Sequence, residues 1–235
     1  MKRLPILVAL FALSLMPTLA SAATFDFAFA VQFSNSTLPG GPAPWLTGTV
    51  SDDVAGTEVQ ITFNTAGLTG SEFISGIYLN LDPLITPTDV SATLVAAGTT
   101  TNAYNNTQFG TDAFQADGDG IYDILINLFN TAAANFSDNE TLILNFNLAG
   151  TGTLEAEDFV FLATQGGGNG PFYAAAHLQG ISGGGSTWIG IGPRPTPRDV
   201  PPDDPPPNTP VPEPATMFLL GTGLLAAARY RKRLV

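Results

Sequence analysis

Short runs of strict period-two alternation dominate the middle of this chain. Phe25, Phe27, Phe29, Val31 and Phe33 alternate with Asp26, Ala28, Ala30 and Gln32. Val59, Ile61 and Phe63 alternate with Glu58, Gln60, Thr62 and Asn64, and Ile77, Leu79 and Leu81 with Tyr78, Asn80 and Asp82. Ile124, Ile126 and Leu128 follow an acidic turn, and Leu142, Leu144, Phe146 and Leu148 are interleaved with Asn145 and Asn147. In an extended chain successive side chains point to opposite faces, so each run is a strand with one apolar and one wet face. Antiparallel sheets tolerate a wet face; parallel sheets are covered on both. Clusters of Gly, Pro, Asn and Asp, the residues that turns require, separate the runs. The pattern predicts an all-β fold, an antiparallel β-sandwich of about eight to ten strands in a jelly-roll-like arrangement. Residues 131–135 have room for one helical turn, and 158–165 read equally as strand or helix. No repeat of fixed period is present.

The charge distribution narrows the function. Residues 23–192 contain no Lys or Arg and 16 Asp and Glu, a formal charge of −16. Such a domain has nothing to offset phosphate repulsion, so nucleic acid and anionic lipid are excluded as its partners. Catalysis by a lysine or an arginine clamp is excluded too. The acidic excess reads either as a solubilising surface or as a reason to bind cations, calcium first. The chain has no cysteine, so disulfides and thiolate metal sites are impossible.

The basic residues lie at the two ends. Lys2 and Arg3 precede the apolar stretch Leu4 to Leu15, and Ala20-Ser21-Ala22 satisfies the small-x-small rule for signal-peptide cleavage. Residues 1–22 are therefore expected to form a signal helix that directs Sec export and is cut after Ala22, with Ala20 and Ala22 defining the site. Residues 193–210 form a linker; across 193–214, 11 of 22 residues are proline, which favours a stiff polyproline II spacer. Next come Pro212, Glu213 and Pro214, an uncharged run of 14 residues from Ala215 to Ala228, and the basic cluster Arg229, Arg231, Lys232 and Arg233. As a helix that run is about 21 Å long at ~1.5 Å per residue, a short membrane span beside a hydrocarbon core of roughly 30 Å. The basic cluster should hold it with the body outside and the tail in the cytoplasm.

In order and composition, residues 211–235 resemble the PEP-CTERM sorting tail. The resemblance implies that Pro212, Glu213 and Pro214 are recognised by an exosortase, a membrane protease of transpeptidase type that removes the tail. It also implies a Gram-negative-type or cyanobacterial host that makes exopolysaccharide. A plain C-terminal membrane anchor is the alternative reading of the same residues. The body, residues 23–192, is more loosely similar to ectodomains of such proteins through Ala175 to Gly180, a Gly-rich loop and Ser186 to Ile189; that likeness implies no activity.

Within the body, Asp117-Gly118-Asp119-Gly120-Ile121-Tyr122-Asp123 places carboxylates on a Gly-rich turn. Asp117, Asp119 and Asp123 are candidate calcium ligands, because hard cations take several oxygens at short range. An acidic turn between strands explains the same residues. Trp45 and Trp188 offer flat aromatic faces suited to sugar rings, or else serve as packing. His177 is the sole histidine and reads as a packed, hydrogen-bonded strand residue. Asp52-Asp53 and the group Glu155, Glu157 and Asp158 are the other acidic clusters; a glycoside hydrolase needs two carboxylates at fixed separation across a cleft. The expected function is a non-enzymatic cell-surface or matrix protein sorted by exosortase and associated with exopolysaccharide in a biofilm. A carbohydrate-binding module is the alternative, and a secreted glycoside hydrolase ranks below it.

Overall fold

The computed structural model describes residues 23–192 except 35, 53–57, 98–101, 118–119 and 132, together with Pro195. The signal segment with Ala20 and Ala22, the sorting motif Pro212–Pro214, the short membrane helix and the basic cluster fall outside the described residues, as does Asp119. Among the described residues, no helix is long and apolar enough to cross a membrane.

The domain is an all-β sandwich. In chain order the strands are β1 (Thr24–Phe29), β2 (Val31–Gln32), β3 (Leu46–Asp52), β4 (Val59–Asn64), β5 (Phe73–Leu79), β6 (Val90–Ala97), β7 (Tyr104–Ala116), β8 (Gly120–Leu128), β9 (Phe136–Ser137), β10 (Thr141–Leu148), β11 (Ala174–Ile181) and β12 (Gly185–Gly190). One sheet runs β1-β3-β4-β10-β6; the larger runs β2-β12-β11-β5-β8-β7, with β9 added beside β5. Each named pairing is antiparallel. The chain passes repeatedly from one sheet to the other.

That burial follows the alternation. Phe25, Phe27 and Phe29 of β1, Val59, Ile61 and Phe63 of β4, and Leu142, Leu144 and Phe146 of β10 join Ile77 and Leu79 of β5, Ile124 and Ile126 of β8, and Leu178 of β11 in one core between the sheets. Each fully buried side chain of this size contributes about 1.5–3 kcal/mol. Gly48 lies opposite Phe27 in the register of β1 and β3. A Cβ there would stand 3.2 Å from the Phe63 ring and 3.3 Å from Phe27 Cβ, so the missing side chain makes room for the Phe63 ring.

Three departures from the sequence reading stand out. The run from Phe25 to Phe33 is not one strand: the chain leaves the first sheet after Phe29 and pairs Val31 and Gln32 with β12 of the other. Where one helical turn is expected, Ala134 N–H donates to the Thr131 carbonyl at 2.9 Å, closing a turn with no helix among the described residues there. The ambiguous segment near Asp158 resolves into a single 3-10 turn over Ala156–Phe159.

A second, smaller core lies on the outer face of the larger sheet. Ala174, Ala176 and Leu178 of β11 point into the main core, whereas Ala175 between them packs with Phe33, Ala116, Tyr122, Ala163 and Phe172. The β7–β8 hairpin supplies this cover. Its register breaks between Phe109 and Phe114, and beyond the break Ile121 exchanges backbone hydrogen bonds with Thr164. Hairpin tip and loop 161–172 together roof one end of the sheet.

The acidic residues are not confined to the surface. Glu72 is 3% exposed, and its carboxylate accepts Gly40 N–H at 2.7 Å, Thr69 N–H at 2.8 Å and the Thr69 hydroxyl at 3.2 Å. Glu140 is likewise buried and accepts Ser137 N–H at 3.1 Å. With no lysine or arginine in the domain, backbone amides take the place of ion-pair partners. Hydrogen bonds to an ionised acceptor are roughly twice as strong as neutral ones, which offsets the desolvation of the charge.

Candidate functional site

Beside the roofed end, the outer face of the larger sheet carries a shelf of partly exposed rings. β11 and β12 are a hairpin whose register sets His177 directly opposite Trp188. Their rings stack with centroids 4.5 Å apart and planes 17° apart. Tyr78 of β5 also packs against Trp188, with centroids 5.2 Å apart and planes inclined by 60°. Phe33 lies 6.5 Å from Trp188 and stacks on Phe172 at 4.6 Å, so the shelf continues into the second core. Aromatic pairs in such geometries add about 0.5–1.5 kcal/mol each beyond area burial, and here they hold the rings rigidly.

The polar groups of the shelf divide by orientation. His177 Nδ1 lies 3.1 Å from Ser75 Oγ and 3.2 Å from Gln179 Nε2, and Gln179 Nε2 also donates to Ser75 Oγ at 2.9 Å. Gln179 thus offers its amide N–H to Nδ1, which makes Nδ1 the acceptor and places the ring proton on Nε2. Among the described residues, no hydrogen bond engages His177 Nε2, Trp188 Nε1 or the Tyr78 hydroxyl. Burial lowers the His177 pKa from its ordinary 6.5, with the Asp117 carboxylate pulling it the other way. Burial raises the Tyr78 hydroxyl above 10.0. Near neutral pH the shelf therefore presents a neutral imidazole, an indole N–H and a phenol beside an acidic turn. Rigid apolar rings edged by neutral donors are chemically suited to sugars, whose C–H faces are apolar and whose hydroxyls are acceptors and donors.

The two tryptophans singled out from sequence separate here. Trp188 belongs to the shelf. Trp45 does not: it is 7% exposed, packs in the main core, and donates Nε1–H to the Gly41 carbonyl at 2.8 Å. The expectation that Trp45 stacks on a glycan is corrected, because its ring has no open face.

The candidate calcium residues also separate. Asp117 sits at the tip of the β7–β8 hairpin with φ of 48°, within electrostatic reach of His177. Asp123 is 8% exposed; one oxygen accepts Leu81 N–H at 3.2 Å and the other Asp112 N–H at 2.9 Å. That carboxylate, read from sequence as a candidate calcium ligand, ties the hairpin to the loop after β5 through both of its oxygens. No group of three acidic or histidine side chains able to hold a metal ion occurs among the described residues.

Asp123 also lines a cleft of about 270 Å³ with Asn80, Asp82, Leu84, Asp112 and Leu162. Its carboxylates are occupied in part, since Asp82 Oδ1 accepts Leu84 N–H at 2.7 Å. The acidic groups around Asp52 and Asp158, 106 positions apart in sequence, do come together: Asp52 Oδ1 accepts Ala156 N–H of the 3-10 turn. The Asp158 pKa is raised from 3.8, by burial first and then by the charges of Asp82, Glu155 and Asp52, against the Glu155 N–H that it accepts.

Sequence reading missed the Tyr78–Trp188–His177 cluster as a unit. The available signal was the pairing of two alternating runs, residues 174–181 and 185–190, across a Gly-rich turn; folding them as a hairpin puts 177 opposite 188.

No curated protein and no solved structure matches the chain. Residues 210–233 match the family model for the PEP-CTERM protein-sorting motif. The chain therefore carries a PEP-CTERM sorting signal, the mark of an exosortase substrate that is exported as a membrane-anchored precursor and processed to the cell surface.

Proposed function

We propose that this chain is a non-enzymatic surface or matrix protein of a Gram-negative-type bacterium, exported through Sec, sorted by exosortase, and associated with exopolysaccharide through the Trp188 shelf. The observation that carries the reading is the shelf itself: Trp188, His177 and Tyr78 pack against one another and all three stay partly exposed. Acidic surroundings without lysine or arginine favour a neutral polysaccharide, or an anionic one bridged by calcium at the Asp117 turn. A carbohydrate-binding module that recognises one defined glycan is the second reading, favoured by the same rigid rings. The backbone hydrogen bonds that engage Asp123 and Asp52 leave Asp158, with its raised pKa, as the carboxyl that a hydrolase reading would need.

The sorting half is tested in the host by deleting residues 212–235 and assaying surface display with an antibody to the domain. Loss of display, with the protein released or retained in the periplasm, is the expected result. Normal display of the truncated chain would contradict it. The binding half is tested by Trp188→Ala, developed below.

A further inference from the structure

We propose that signal-peptide removal creates a cation for which the domain holds a ready-made site: the α-ammonium of Ala23, docked on Asp52. The inference rests on the export reading and is independent of any glycan.

Ala23 is clasped to the end of β3 from both sides. Its backbone nitrogen donates to Asp52 Oδ2 at 2.9 Å, and its carbonyl accepts Asp52 N–H at 3.1 Å. The other carboxylate oxygen, Oδ1, accepts Ala156 N–H. One side chain therefore joins the residue before β1, the end of β3 and the 3-10 turn. Glu155 before the turn, Asp82 of the loop after β5 and Asp52 itself all act electrostatically on Asp158 of the turn. No lysine or arginine occurs anywhere in residues 23–192 to balance them.

In the precursor the Ala23 nitrogen is a neutral amide. Hydrolysis of the Ala22–Ala23 bond consumes one water, leaves a carboxylate on Ala22, and gives Ala23 an amine that takes a proton at neutral pH. The same nitrogen, 2.9 Å from Asp52 Oδ2, then carries a full positive charge against a carboxylate that itself acts on Asp158. A hydrogen bond charged only on its acceptor becomes an ion pair, which adds the attraction of two opposite charges at contact distance. The mature domain is thus more stable than the same domain in its precursor, and its firmest state is reached only after export.

The chemistry permits a clean test. Once residues 1–22 are gone, the amines left are the α-amine and Lys232 of the tail. Exported, purified protein is reductively methylated with ¹³C-formaldehyde and titrated by NMR, its first residue being checked by mass spectrometry of the N-terminal peptide. A lysine signal titrates near 10.4 and is separable from an α-amine. The expected result is an N-terminal Ala23 whose amine titrates about one unit or more above the ordinary range of roughly 7.7–8.0, and which returns to that range in Asp52→Asn. A second variant covers the case in which Asp52→Asn does not fold: a Gly-Ser insertion between residues 22 and 23 moves the charge about 7 Å along the chain. It should melt about 2–4 °C below wild type. An α-amine that titrates in the ordinary range, a mature chain that does not begin at Ala23, or an insertion variant with the wild-type melting temperature would each overturn the proposal.

Discussion

Replacing the two tryptophans by alanine, one at a time, separates the shelf from the core. Trp45 is enclosed in the main core and loses both its packing and the Nε1–H bond to Gly41. A buried Trp→Ala change costs about 3–5 kcal/mol. For a domain of this size about 2–4 °C of melting temperature follows each kcal/mol, so Trp45→Ala should melt roughly 10–15 °C lower. Trp188 is partly exposed and loses its pairing with His177 and Tyr78, at about 0.5–1.5 kcal/mol each. Its fall should be roughly 3–9 °C, leaving a folded domain. The order reverses for function. Losing a ring contact worth about 1.4 kcal/mol lowers affinity about tenfold, so Trp188→Ala should lose retention on the host polysaccharide while Trp45→Ala keeps it at temperatures where it is folded. Circular dichroism melts and a retention assay on the exported proteins give both numbers. If Trp188→Ala folds and is retained as well as wild type, the shelf is only packing and the argument from its geometry fails.

Other expectations concern what holds the domain. Glu72→Gln leaves an N–H donor facing an amide N–H where Gly40 and Thr69 now meet a carboxylate; denaturant titration should show a loss of about 2–4 kcal/mol. Gly180 has φ of 73°, and a Cβ there would sit 2.0 Å from the Ser71 carbonyl oxygen, so Gly180→Ala should cost roughly 2–4 kcal/mol. Burial depresses the folded-state pKa of His177 below the 6.5 of the unfolded chain. Its contribution to stability is therefore present above 6.5 and lost as pH falls through the window below it. His177→Gln should flatten the pH dependence of the unfolding midpoint in that window. Asp158 acts with the opposite sign: its folded pKa lies above 3.8, so its contribution is present at low pH and lost as pH rises through the folded value.

The sandwich was legible because its inner strands obey the period of two. Val59, Ile61 and Phe63 are all buried while Gln60, Thr62 and Asn64 between them are partly exposed, which is the sequence pattern itself. The edges were not legible. β6 and β7 each close one side of a sheet, and most of their residues are partly or fully exposed, so neither needs an apolar face. Phe33 continues the alternation of β1 yet packs outside the main core, because the chain changes sheets at residue 30 without breaking the pattern. The carboxylates misled for a related reason. Composition shows that Glu72, Glu140 and Asp123 have no cationic partners, but only the fold shows that backbone N–H groups replace them. The shelf depends on the β11–β12 register and on β5 beside it, a pairing across about 100 residues that no local spacing announces.

Glycan binding is met most directly with exported, mature protein and the polysaccharide of its own host. Wild type and Trp188→Ala are passed over that polysaccharide, with calcium and with chelator. The account predicts that wild type is retained and the variant is lost; retention that disappears with chelator would add calcium to the contact. Failure of the wild type to be retained in either condition would contradict the glycan-binding claim, leaving the PEP-CTERM motif at 210–233 as a sorting signal on a domain with some other partner.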